Sequence, residues 1–116
     1  MGHKTTIYCT FDVEGYHSWD TCPHEDVAFL RNTHRHRFHF KAYQTVNHLN
    51  RDIEFIRMGR ELKAFVITKY GNNQDGVCLF HNQSCEMLAL ELLEHFNLVK
   101  VEVNEDLENG AIVEAI

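Results

Sequence analysis

The stretch "NTHRHRFHF", Asn32 to Phe40, gathers three of the chain's nine histidines and two arginines into nine positions. From His34 onward the residue types alternate. His34, His36, Phe38 and Phe40 fall on one side, and Arg35, Arg37, His39 and Lys41 on the other. Period two is the signature of a strand. Residues i and i+2 of a strand point the same way with their side chains close together, so His34 and His36 can offer imidazole nitrogens to one ion. A catalytic zinc takes three protein ligands and keeps a fourth position open. His17, in "GYHSW", is the natural third if the first strand pairs with the strand that starts at His34. Nickel, iron or cobalt would accept the same donors, and the same spacing also suits polar strand residues that bind nothing. His39 faces the opposite side and reads as solvated. His3, His24, His48, His81 and His95 have no paired spacing and read as structural or surface residues.

The rest of the composition narrows what such a site can belong to. With 116 residues, one proline and no low-complexity tract, residues 1–116 are expected to form a single domain. A net charge of −6 disfavours binding to a phosphate backbone. Cys9, Cys22, Cys78 and Cys85 are scattered, with no C-x-x-C pair, which argues against a zinc ribbon and a disulfide scaffold. They read as reduced thiols filling small core positions. No apolar run approaches the roughly 20 residues that span a bilayer, and "MGHKTTIYCTF" lacks the apolar stretch of a signal peptide. A cytoplasmic protein without a membrane partner is expected.

The elements that must position the histidines follow from patterning. "KTTIYCTFDV", Lys4 to Val13, is β-branched and aromatic and predicts a first strand. Glu14 to Asn32 reads as a long loop of the length that is usually functional or disordered. The second strand runs from His34 to about Thr45. "VNHLN" supplies turn residues, and "RDIEF" reads as a short return strand. Met58, Leu62, Phe65, Val66 and Tyr70 make an amphipathic helix stripe, which Gly71 is placed to end. A polar loop, "GNNQDG", leads to a second stripe of Cys85, Leu88, Ala89, Leu92 and Phe96, with Asn82 or Ser84 as its cap. "LVKVEV" and "GAIVEAI" close the chain as strands. Strands segregated from helices predict an α+β domain with an antiparallel sheet.

Four stretches in order resemble the 6-pyruvoyl-tetrahydropterin synthase and 6-carboxy-tetrahydropterin synthase family. "HNQSCEMLALELL" is similar to the N-P-T-x-E-x-x-A segment that opens that family's second helix. Asn82, Ser84, Glu86 and Ala89 match, and Gln83 replaces the proline. "VKVEVNED" with "GAIVEA" resembles the closing strand pair, and "IEFIRMGREL" the hydrophobic-D-F-x-x-L-K segment, with Glu54 in place of Asp. "FDVEGYH" and "HRH" sit where the family has F-x-x-x-H and H-G-H. The resemblance implies a tunnelling fold, in which a four-stranded antiparallel sheet is backed on one face by two antiparallel helices and copies join into a homo-oligomeric barrel. It also implies Zn2+ on His17, His34 and His36, and a small pterin- or purine-like heterocycle as ligand. Glu105 matches the glutamate that anchors the pterin ring, and Ser84 the helper threonine. A carboxylate suits that role because it can accept two hydrogen bonds from an amino-pyrimidinone edge.

The departures bear on chemistry. The family's catalytic cysteine lies four residues before H-G-H, where this chain has Leu30. Its Asp-His proton relay between the helices is absent as a pair, since Asp75 and His81 are separated. Arg35 stands where the family has glycine. Cys22, His24, Glu25 and Asp26 in the long loop are candidate substitutes for the missing proton-moving group, Glu25 and Cys22 foremost. Arg31, Arg35, Arg37 and Lys41 form the basic cluster, three of them on the strand face opposite the expected metal, as a solvated or subunit-facing stripe. Two functions follow as expectations. One is a zinc-dependent lyase acting on a dihydroneopterin-triphosphate-like substrate. The other is a pocket protein of the same fold that binds or sequesters a pterin or purine nucleotide. In a third possibility the barrel is purely structural and its histidines bind nothing.

Overall fold

Alternation of side chains in two long segments builds the scaffold. In the computed structural model, which describes residues 2–72 and 75–116, β1 (Thr5–His17) and β2 (His34–Val46) pair antiparallel over their whole length, from Thr5 opposite Val46 to His17 opposite His34. Further elements are a 3-10 helix (Glu25–Arg31), α1 (Phe55–Tyr70), β3 (Cys78–His81), α2 (Cys85–His95), β4 (Lys100–Glu105) and β5 (Asn109–Glu114). The sheet order is β3-β1-β2-β4-β5. All neighbours are antiparallel except β3, which runs parallel to β1.

One face of this sheet is apolar. Cys9, Val13, Phe38, Phe40, Ala42, Val101 and Val103 point into a core completed by Leu62 and Val66 of α1, Leu88, Ala89 and Leu92 of α2, and Phe80 of β3. Helix α1 packs over β1 and β3, and α2 over β4 and β5. The helical stripes end as their caps direct. Ser84 accepts a hydrogen bond from the Met87 N–H at 3.1 Å and starts α2. The Gly71 N–H donates to the Ile67 carbonyl and ends α1. All four cysteines are buried free thiols. The opposite face is polar: Arg35 pairs with Glu14, His39 lies 3.8 Å from Asp12, and Lys41 sits over the Tyr8 ring. No helix among the described residues is long and apolar enough to cross a membrane.

The α+β expectation holds, with corrections to its details. The sheet has five strands, not four, and one of its pairs is parallel. Within one chain it is open, with β3 and β5 at its edges, and no barrel is closed. "RDIEF" is not a strand. Arg51 has φ +57°, the Asp52 carboxylate accepts from the Asn47 N–H, and Glu54 caps α1 by accepting from the Arg57 N–H at 3.0 Å. Acidic side chains at those positions serve backbone donors and so compete with extended pairing. The first strand runs four residues past Val13. It is continued by Gly15, where an added Cβ would lie 2.6 Å from the Phe80 ring and 3.0 Å from that of Phe38. The predicted loop therefore shrinks and carries the 3-10 helix. In the polar loop before β3, Asn73 and Gln74 lie outside the described residues.

Candidate metal centre and adjoining cavity

The end of the β1–β2 ladder sets the site. His17 stands opposite His34, and Gly15 opposite His36, so three imidazoles meet on the helix-covered face. Their ring centroids are 4.5 Å (His17–His34), 5.3 Å (His17–His36) and 5.0 Å (His34–His36) apart. The buried ring of Phe38 lies edge-on to both His17 and His36 and fixes the floor.

Each ring is held by its Nδ1. His17 Nδ1–H donates to the Gln83 carbonyl at 2.9 Å, His34 Nδ1–H to the Asn32 carbonyl at 2.7 Å, and His36 Nδ1–H to the Asp106 carboxylate at 2.7 Å. Carbonyl and carboxylate oxygens only accept, so the proton sits on Nδ1 and Nε2 is left as the ligand atom. One ring nitrogen from each histidine lies within 4.8 Å of the other two. His34 Nε2 is buried with no hydrogen-bond partner. An orphaned acceptor is costly unless something fills the position, and three neutral imidazole donors fit a divalent cation of the zinc type.

The tethers come from well-defined local structure. Asp106 sits at the β4–β5 turn with φ +58°, a left-handed conformation that aspartate tolerates. Its second oxygen accepts from the Arg37 N–H at 2.8 Å. The Gln83 side chain donates to the Tyr70 hydroxyl at 2.6 Å, and that hydroxyl donates to Glu91 at 2.6 Å. His17 is thereby tied through Gln83 to α1 and α2 together.

Glu105, the last residue of β4, reaches into the triad. One carboxylate oxygen is 3.0 Å from His17 Nε2 and the other 3.6 Å from His36 Nε2. Burial alone would lower the His17 pKa, but the hydrogen bonds to Glu105 and Gln83 and the Glu105 charge outweigh it and hold His17 above its ordinary value. Glu105 is correspondingly held below the usual carboxylate range, chiefly by the His17 hydrogen bond, against burial. Without a metal, His17 faces an acceptor on both nitrogens and is stabilised as imidazolium.

A cavity of about 590 Å3 opens beside the triad, lined by His17, His34 and Glu105 and by Leu30, Ser84 and Cys85 among others. Gly110 also lines it, and there a Cβ would come within 2.3 Å of the Val103 carbonyl. A larger groove of about 890 Å3 between β1 and the start of α1 contains none of the three clustered histidines. The expected residues divide as follows. His17, His34, His36 and Glu105 come together, and Ser84 lines the same cavity while capping α2. Cys22 is 2% exposed, its sulfur directed at the His24 and Val27 carbonyls, and Glu25 has an 83% exposed side chain paired with Arg31 at 2.8 Å. Neither Cys22 nor Glu25 lines the cavity. Cys85, read from sequence only as part of a core stripe, does line it. Burial, then the charges of Glu105 and Glu86 and a hydrogen bond with Glu105, pushes its thiol up to about 12.

Comparison with solved structures settles the architecture. The 6-pyruvoyl tetrahydropterin synthase of Caenorhabditis elegans matches with a TM-score of 0.69 over 98% of this chain and 97% of that one, at 12% sequence identity. The chain has the tunnelling fold. An uncharacterized protein from Wolinella succinogenes matches with a TM-score of 0.60 over 99% of this chain and all of that one, at 11% identity. No known family model and no curated protein sequence matches. At these identities the likeness concerns the fold alone, and chemistry must be argued from the tunnelling-fold chain's own side chains.

Proposed function

We propose that this chain is a zinc-dependent enzyme of the pterin and deazapurine type, acting as a lyase on a dihydroneopterin-triphosphate-like substrate in a homo-oligomer. The observation that supports it best is the set of three Nδ1 tethers, which leaves three Nε2 atoms of His17, His34 and His36 for one ion. Zinc held there would supply Lewis-acid polarisation of an oxygen on the substrate's side chain. The cavity beside it offers Glu105 to the amino-pyrimidinone edge of the ring and Ser84 as a second polar contact. Proton movement falls to Glu25 or Cys22, which requires the Cys22–Arg31 segment to rearrange over the cavity, since the Arg31–Glu25 pair now faces outward.

A second reading is favoured by Leu30, which lines the cavity where the tetrahydropterin synthases place their catalytic cysteine. On that reading the pocket is kept, the chemistry is lost, and the protein binds or sequesters a pterin or purine nucleotide. Metal content per chain, measured in protein purified without a nickel column, comes first. About one zinc per chain, lost on His34→Ala with His36→Ala, is the expected result, and no metal in either protein defeats the enzyme reading and leaves the binding reading in the lead. Loaded protein is then offered dihydroneopterin triphosphate. Turnover that falls on Glu25→Ala or Cys22→Ala identifies the enzyme. A rise in Tm with pterin or guanine-like compounds, without turnover and lost on Glu105→Ala, identifies the binder.

A further inference from the structure

We propose that Glu105 is the fourth protein ligand of the metal in the resting protein, so that the site is closed as His3-carboxylate until a heterocycle displaces it. This rests on the reading of the histidine triad as a metal site. Bonds of about 2.0–2.2 Å at tetrahedral angles put neighbouring donor atoms about 3.3 Å apart. The two Glu105 oxygens lie 3.0 Å from His17 Nε2 and 3.6 Å from His36 Nε2, on either side of that separation. Both contacts are to the ligand nitrogens, not to the tethered ones.

Other candidates for the fourth position are committed elsewhere. Asp106 is taken by His36 Nδ1–H and the Arg37 N–H, and the Ser84 hydroxyl caps α2. Of the other side chains lining the cavity, the Cys85 thiol contacts Glu105 itself, and Glu86 is exposed in the first turn of α2. A half-buried divalent ion on three neutral imidazoles carries its full charge, and an adjoining carboxylate halves it. A single carboxylate cannot hold the metal and receive an amino-pyrimidinone edge at once. Docking of the ring therefore lifts Glu105 from the ion and opens the coordination position that the substrate oxygen needs.

The test uses full-length protein depleted of metal and refilled with Co2+, followed by its visible absorption, by competition with a chelator, and by titration with azide. Wild type is expected to show intense tetrahedral bands that azide leaves unchanged. Glu105→Gln and Glu105→Ala, two variants so that a folding defect in one is recognised, are expected to bind Co2+ more weakly by more than the ~10–100-fold typical of losing an outer partner. They should also take up azide. A guanine-like ligand added to wild type is expected to make it azide-sensitive. The proposal is overturned if wild type takes up azide as readily as the variants do. It is equally overturned if a near-ultraviolet sulfur-to-cobalt band appears and is lost in Cys85→Ser, which assigns the fourth position to the thiol. If His34→Ala binds Co2+ as wild type does, the metal reading itself has failed, a result distinct from loss of the Glu105 assignment alone.

Discussion

Two regions that sequence reasoning treated alike, as carriers of chemistry, differ in how they are held. The triad stands at the end of a 13-residue ladder, with His17 only 8% exposed and every Nδ1 tethered. The Cys22–Arg31 segment carries a 3-10 helix, Glu25–Arg31, that is broken at Val27 and has no buried residue, with Glu25 held to Arg31 at the surface. A strand supplies precise positions because its neighbours fix both register and face. A short 3-10 turn supplies polar groups without fixing where they point. Rigid elements are where a preorganised donor set belongs.

The contrast can be broken most forcefully through its floor. Phe38→Ala removes a buried ring under His17 and His36 and should cost about 3–5 kcal/mol, read as a fall in the denaturation midpoint, together with loss of metal. Phe29→Ala, in the loop helix at 65% exposure, should stay within about 0.5 kcal/mol. Next in size is metal removal. A ligand at a thousand times its Kd stabilises by about 4 kcal/mol, so chelation should lower Tm by several degrees in wild type and by nothing in His34→Ala. Smaller still is the pH response of the metal-free protein. His17 lies above its ordinary 6.5, so its contribution is complete below 6.5 and is lost as pH rises through the raised value. Glu105 lies below its ordinary 4.5, so its contribution is present above 4.5 and is lost as pH falls. Denaturation of chelated protein should show both limbs, and Glu105→Gln should flatten them. The smallest effect is Glu25→Ala, which removes an exposed ion pair worth about 0–1 kcal/mol and should leave metal content unchanged. A large loss of metal there would erase the distinction between the two regions.

What the sequence made legible follows from the range over which each signal acts. The H-x-H face, the two helical stripes and the Ser84 cap depend on residues two to four apart, and the structure keeps them. His17 was reachable because antiparallel pairing of two recognisable strands predicts its partner. Strand β3 was missed because four residues beside a polar loop carry too little periodicity, and its pairing with β1 is parallel and distant. "RDIEF" misled because alternation of polar and apolar residues also suits a turn followed by a cap. The Gln83 and Asp106 tethers, 66 and 70 residues from their histidines, have no local pattern at all. Cys85 was hidden because a thiol in a helical stripe looks the same whether it faces core or cavity.

The uninterrupted pairing of β1 with β2, from Thr5 opposite Val46 to His17 opposite His34, has a consequence for how this protein can change over time. Each strand measures the distance to the donor set in whole residues. Gaining or losing one residue inside either strand would turn its histidines to the polar face. The histidine set can therefore drift by exchange of side chains but not by single-residue indels, while the 3-10 helix Glu25–Arg31, with no buried residue, lies outside that register and can grow. New specificities on this scaffold should arise there, over a histidine set that has to stay where it is.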